Sequence, residues 1–243
     1  MAVDGSGSMR GYHATGALQA LVTDVLAAGD AAGLPGDAKV FVADAQADRP
    51  TWHPWPAWSA QPEYGQTTLL AAAARVATRG ARATVLITDN FADPFGAGGG
   101  TEGATESFYA TLAELPLHRV WLAPTLARFD GRVDLALPPG DPAALQARIL
   151  ADTPAPLRAG GAVGLPQRMG GAGGFWKVPY RGRRGLAGYL MLGDPDDAPA
   201  FAHLRQALAR RRPDWTPLLV RPLGADSVQL RPAQAATPDP RAV

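Results

Sequence analysis

Residues 1–16 read MAVDGSGSMRGYHATG, and the fold turns on what Asp4-Gly5-Ser6-Gly7-Ser8 does there. Asp, Gly and Ser are poor formers of helix and strand. The stretch is therefore either a loose Gly-Ser turn or a loop built to bring side chains together. Single residues exclude three familiar loops. The dinucleotide fingerprint G-x-G-x-x-G fits Gly5 and Gly7 but meets Arg10 at its third position, with Gly11 one residue late. A phosphate-binding P-loop requires Gly-Lys-Ser/Thr, which the chain lacks. A nucleophile elbow needs glycines two residues before and after its serine. Ser6 has Asp4 and Ser8 there, and Ser8 has Ser6 and Arg10. What remains is D-x-S-x-S: three oxygen-bearing side chains, two residues apart, after the short apolar lead Met1-Ala2-Val3.

Outward from this loop, the first half alternates two patterns. Val40-Phe41-Val42, Val85-Leu86-Ile87 and Val120-Trp121-Leu122 are apolar runs without polar alternation, as in strands covered on both faces. Between them, Leu18, Leu21, Val22, Val25 and Leu26 fall on one face of a helix, and Leu69, Ala73 and Val76 do so more weakly. A third helix is predicted over 104–115. Alternating strands and helices predict an α/β fold: a doubly wound, mostly parallel sheet with helices on both faces. The prolines of ADRPTWHPWPAWSAQPEYG exclude a central strand and suit a short edge strand hairpinned to 39–45. RVDLALPPG follows the third apolar run after residues 124–131 alone. A parallel crossover needs a dozen residues or more, so this strand is antiparallel or its linker unusually tight. DPAALQARILAD then reads as a helix with Asp141 as N-cap and Pro142 at the first helical position.

The character changes near residue 153, which divides the chain into 1–152, carrying the candidate site, and a carboxyl-terminal extension, 153–243. PLRAGGAVGLPQRMGGAGGFWKVPYRGRRG reads as a long loop. GYLMLG reads as a strand, Pro199–Arg212 as a helix, and PLLVRPL and SVQLRP as two more strands. These either add to the same sheet or form a small subdomain.

Composition narrows the chemistry. The chain has 243 residues, no cysteine and a net charge of +1. Disulfides, zinc-thiolate sites and thiol nucleophiles are excluded, and net charge gives no general attraction to nucleic acid or membrane. No apolar run is long enough to span a bilayer, and the polar stretch from Asp4 leaves no room for a signal peptide; a cytoplasmic protein is expected. Lys39 and Lys177 are the only lysines, a usage that goes with GC-rich bacterial genomes. His13, His53, His118 and His203 show no metal-binding spacing.

Two further polar positions match the opening loop. Thr67, in YGQTTLL, precedes a predicted helix, and Asp89, in VLITDNF, ends the strongest apolar run. In an open α/β sheet, ligands gather at the carboxyl ends of strands near a topological switch. Asp4, Ser6, Ser8, Thr67 and Asp89 would there form an all-oxygen set suited to Mg²⁺, with Mn²⁺ or Ca²⁺ as alternatives. Thr67 could equally cap its helix, and Thr68 is the competing hydroxyl.

DGSGS, GQT and ITD, in this order and on these elements, resemble the metal-ion-dependent adhesion site of von Willebrand factor A domains, over roughly residues 1–152. The resemblance implies a Rossmann-like doubly wound sheet with a divalent metal at its top, held by Asp4, Ser6, Ser8, Thr67 and Asp89. It also implies a protein partner whose Asp or Glu carboxylate completes the metal's shell, and a binding role without catalysis. Many bacterial relatives are linked with AAA+ ATPases or with stress and defence systems, so an adaptor or scaffold is the expected part. Three departures stand out: the lead strand is a stub, Asn90 stands where the family often has Gly, and the last crossover is short.

Around the site, Arg10, Tyr12, His13 and Asn90 are candidates for a partner-facing rim. Trp52, Trp55, Trp58 and Tyr64 form either a partner surface or packing around a proline-rich loop. Two other functions compete with adhesion. A Mg²⁺-dependent hydrolase or phosphatase would need a general base, for which only His13 and Glu63 are near the site segments. Nucleic-acid binding would use Arg181, Arg183, Arg184 and Arg210–Arg212, but no recognition motif accompanies them.

Overall fold

A computed structural model of the chain describes residues 1–44, 47–89, 101–136, 167–169, 175–215 and 218–220. One eight-stranded sheet organises them. Its strands are β1 (Ala2–Asp4), β2 (Lys39–Val42), β3 (Thr51–Pro54), β4 (Ala83–Thr88), β5 (Arg119–Ala136), β6 (Gln167–Met169), β7 (Phe175–Leu192) and β8 (Leu218–Val220). The helices are α1 (Arg10–Ala14), α2 (Ala17–Ala31), α3 (Trp55–Ala60), α4 (Leu70–Ala77), α5 (Thr101–Glu114) and α6 (Ala198–Arg211).

The apolar runs take their places as both-face-buried strands. β1 lies between β2 and β4 and is parallel to each, with Val3 opposite Val40 and Ile87. Three residues suffice for it because Ala2, Val3 and Asp4 are all fully buried between longer neighbours. Successive side chains along a strand face opposite ways, and two cores result. Val3, Val40, Val85, Ile87 and Leu190 pack with Leu18, Leu21 and Val22 of α2 and with Phe201, Leu204 and Leu208 of α6. Ala2, Phe41, Leu86, Tyr189 and Met191 pack with Leu70 and Ala73 of α4 and Phe108 and Leu112 of α5. Helices thus cover both faces, as the alternating pattern requires.

The strand order β3-β2-β1-β4-β7-β5-β8 departs from the expected mostly parallel sheet. Only β2-β1-β4 are paired in parallel; every other pairing is antiparallel. β3 is the edge hairpin strand expected beside β2. The larger difference is β7, which enters between β4 and β5 and pairs with both. The carboxyl-terminal residues therefore add strands to the same sheet. The tight linker after Leu122 does not exist either: β5 runs unbroken for 18 residues and matches β7 from Arg119–Leu192 to Ala136–Phe175. RGRRG, read from sequence as loop, is the middle of β7. The region is a ribbon with one exposed face, where Arg and Gly are tolerated because cross-strand pairing supplies the order. The helix expected at 141–152 and the strand at SVQLRP lie outside the described residues. Among the described residues, no helix is long and apolar enough to cross a membrane.

Candidate metal centre

The chain leaves β1 on one side towards β2 and returns to β4 on the other, so β1 and β4 flank the switch point of the sheet. Asp4 ends β1 and Asp89 directly follows β4. The Asp4 side chain is fully buried, and so is that of Asp89.

The opening loop is laced in place by its backbone. Gly5 N–H donates to the Phe41 carbonyl at 2.9 Å, and Gly7 N–H to the Gly65 carbonyl at 2.9 Å. Gly65 N–H returns a bond to the Gly5 carbonyl at 2.9 Å. The DGSGS and GQT segments are thus joined in a small parallel bridge, Ser6 opposite Gly65. Gly65 also explains why this contact can be so close: a Cβ there would stand 2.5 Å from the Ala43 carbonyl oxygen. Thr67 N–H donates to the same carbonyl at 3.2 Å, fixing Thr67 two residues along from the bridge. The helix that follows begins at Leu70 with Leu69 at its N-cap, so Thr67 does not serve as the cap.

The side chains converge on Asp4. Its Oδ1 accepts from Ser6 N–H at 2.8 Å, and its Oδ2 from the Thr88 hydroxyl at 2.8 Å. The Ser6 and Ser8 hydroxyls share a hydrogen bond of 2.9 Å, and Ser6 makes no side-chain cap to the turn it precedes. Burial, and then the charge of nearby Asp89, push the Asp4 carboxyl up from its ordinary 3.8 to about 7, against the pull of the Ser6 and Thr88 hydrogen bonds. Burial disfavours the ionised form and a like charge disfavours it further. Arg184 of β7 stands 3.4 Å from the Asp89 carboxylate. Thr88 is not among the residues singled out from sequence, and Arg184 stands there as part of a basic cluster for nucleic acid, not as a neighbour of this site. Thr88 carried a faint signal, as a hydroxyl inside an apolar run; nothing local linked Arg184 to Asp89, since its strand was hidden.

This set fits a hard divalent cation. Two buried carboxylates, of which Asp89 raises the proton affinity of Asp4, are stabilised by a positive charge between them, and the serine hydroxyls offer neutral oxygen donors. Among the described residues, no group of three or more His, Asp or Glu side chains is arranged to hold a metal. The set here has two carboxylates, and its remaining donors are hydroxyls.

The rim candidates separate. Arg10 is exposed and its guanidinium lies 4.8 Å over the Tyr64 ring. Tyr12 is not at a rim: it is fully buried, edge-on to Phe129 at 4.9 Å, and its hydroxyl donates to the Gly185 carbonyl. The ribbon of β5 and β7 covers it. His13 is half-buried against Trp58 at 5.5 Å and Tyr64 at 6.3 Å, with Nε2 3.2 Å from the Ser59 carbonyl. Asn90 lies outside the described residues. Trp58 is buried and packs on Tyr64 at 5.2 Å and on Trp55 at 5.9 Å. The aromatic density therefore serves packing of the 51–64 segment. From the basic clusters, Arg181 pairs with Asp130 at 2.8 Å and Arg212 with Asp24 at 3.5 Å.

Beside Asp89 a cleft of about 570 Å³ opens, walled by Leu122, Pro124, Leu126 and Leu186, with Arg183 and Asp214 at its polar side. Thr125 donates to Asp214 at 2.7 Å and holds its carboxyl below the ordinary value. No family model matches this chain, and no curated protein or solved structure is significantly similar to it.

Proposed function

We propose that this chain is a divalent-metal-dependent protein-binding module, a von Willebrand factor A-like adaptor that grips a carboxylate of its partner. The observation that carries the reading is the buried pair Asp4 and Asp89 at neighbouring strand ends, with Asp4 driven towards neutrality by burial and by Asp89. A sheet that buries a second carboxylate beside Asp4, and so disfavours its ionised form, gains when a cation joins the two.

In this reading Asp4, Ser6, Ser8, Thr67 and Asp89 hold Mg²⁺, with Mn²⁺ or Ca²⁺ as substitutes. When bound, the ion supplies a hard Lewis-acid position for an Asp or Glu side chain of the partner. The chain's own residues prepare that position. Ser6 N–H and Thr88 orient the Asp4 carboxylate through both oxygens, and the bridge to Gly65 keeps the two hydroxyl-bearing segments in register. Arg10 adds positive charge on the exposed surface, favourable to an acidic partner. The role in this reading is binding: of the two bases a hydrolase would need, His13 has its ring packed against Trp58 at 5.5 Å, and Glu63 stands exposed on the aromatic segment.

Thermal unfolding with Mg²⁺, with Mn²⁺ and with EDTA tests this on wild type and Asp4→Ala. Metal at about a hundred times its dissociation constant should add about 2.7 kcal/mol. The upshift should vanish in Asp4→Ala, and partner capture should then require the metal. Equal unfolding temperatures for wild type in all three solutions would refute the proposal.

A further inference from the structure

β7 gives this site something that its five proposed ligands do not include. Pairing of β4 with β7 ends at Thr88 and Ala187, while β7 continues against β5 past the end of β4. That overhanging segment carries Arg184, paired in register with Ala127. Its guanidinium stands 3.4 Å from the buried Asp89 carboxylate and 5.2 Å over the Phe129 ring. The side chain is 21% exposed, so a route to solvent stays open to it. Phe129 is itself fixed by Tyr12, whose hydroxyl is tied to Gly185 next in the chain. The cation is thus placed by the fold and keeps its charge at any working pH.

We propose that Arg184 is a resident counter-cation that sets the divalent-metal affinity of the centre, leaving Asp89 when the metal enters. The inference rests on the metal-binding reading above. Without metal, the guanidinium offsets the charge of Asp89 and lets a buried acidic pair persist. A divalent ion arriving between Asp4 and Asp89 meets a fixed like charge, and the two cations exclude each other from the same carboxylate. Mutual exclusion at a shared group is a negative coupling between two ligands, of the size that changes affinity by about tenfold to a hundredfold. The site would accordingly respond to metal over a higher concentration range than its oxygen donors alone would give.

Calorimetric titration of Mn²⁺ and Mg²⁺ into wild type, Arg184→Gln, Arg184→Lys and Asp4→Ala tests this. Arg184→Gln should bind Mn²⁺ about tenfold to a hundredfold more tightly, and its metal-depleted form should unfold at a lower temperature than wild type. Arg184→Lys, which keeps the charge, should bind within a few fold of wild type. A second readout needs no variant: the Arg184 Nε–H resonance of wild type should move as Mg²⁺ is added and stop moving at saturation. If wild type binds metal in an Asp4-dependent way while Arg184→Gln binds equally or more weakly, or the resonance stays still at saturation, the inference falls and the metal-binding reading stands. If wild type and Arg184→Gln both show no Asp4-dependent binding, the metal-binding reading falls and this inference with it.

Discussion

Replacing Asp4 by Asn should stabilise the metal-depleted protein, although it removes a central residue of the site. The Asp4 carboxyl is raised from an ordinary 3.8 to about 7, first by burial and then by Asp89. Between those two values the folded protein holds a proton that the unfolded chain has lost. Stability without metal must then fall as pH rises across that window, and level off above it. At about 1.4 kcal/mol for each tenfold in proton affinity, the ionised group costs the fold about 4 kcal/mol at pH 8 and about 2 at pH 5. Asn escapes this cost. Its carbonyl can accept from Ser6 N–H, and its NH₂ can donate to the Thr88 oxygen, which turns from donor to acceptor, a rearrangement costing about 1 kcal/mol. Asp4→Asn should therefore gain about 3 kcal/mol at pH 8 and about 1 at pH 5. For a chain of this size that is a rise in Tm of roughly 6–12 °C at the higher pH. Calorimetry in EDTA at both pH values reads it directly. With saturating Mg²⁺ the order should narrow or reverse, because only wild type gains from the metal. An Asn variant less stable than wild type in EDTA at pH 8 would show that the carboxylate is not strained there, and the argument for a cation site would lose its main support.

Two packing predictions test the frame around the site. Gly188→Ala would set a Cβ 2.0 Å from the buried Trp215 ring, whose Nε1–H donates to the Ala123 carbonyl at 2.5 Å. Denaturant unfolding should show a loss of about 1–3 kcal/mol or more, and wild-type stability would refute the described seat of Trp215. Gly65→Ala meets backbone, the Ala43 carbonyl oxygen at 2.5 Å, and must push the GQT segment off the DGSGS loop. Metal affinity measured by titration should fall at least tenfold while the protein stays folded; unchanged affinity would detach the bridge from the site.

The parts of this architecture that the sequence made legible are those with local signals. Val40–Val42 and Val85–Ile87 are apolar because both faces of β2 and β4 are covered, and the spacing of Leu18 to Leu26 follows the buried stripe of α2. The D-x-S-x-S loop was legible because its oxygen atoms are close in the chain as well as in space. What escaped was decided by distant partners. Nothing within RGRRG announces a strand, since its order comes from pairing with Leu126–Asp130 some fifty residues earlier. Tyr12, placed at the rim from its position after the motif, is buried for the same reason: the covering Phe129 and Gly185 belong to that ribbon. A strand with one exposed face and several glycines has weak intrinsic preference, and its environment is what specifies it.

The late arrival of β7 in the chain has a consequence for how the protein is made. β4 and β7 are neighbours in the sheet, yet their paired residues are roughly a hundred positions apart. Such separation is paid for in loop-closure entropy before any contact forms, and it slows folding. On the ribosome, β1, β2 and β4 emerge early with one edge of β4 bare, an invitation to the wrong strand. The segment that closes this edge is the same one that brings Arg184 to Asp89. Closure of the sheet and delivery of the Arg184 guanidinium to Asp89 are therefore a single event, and the five candidate ligands leave the ribosome well before it.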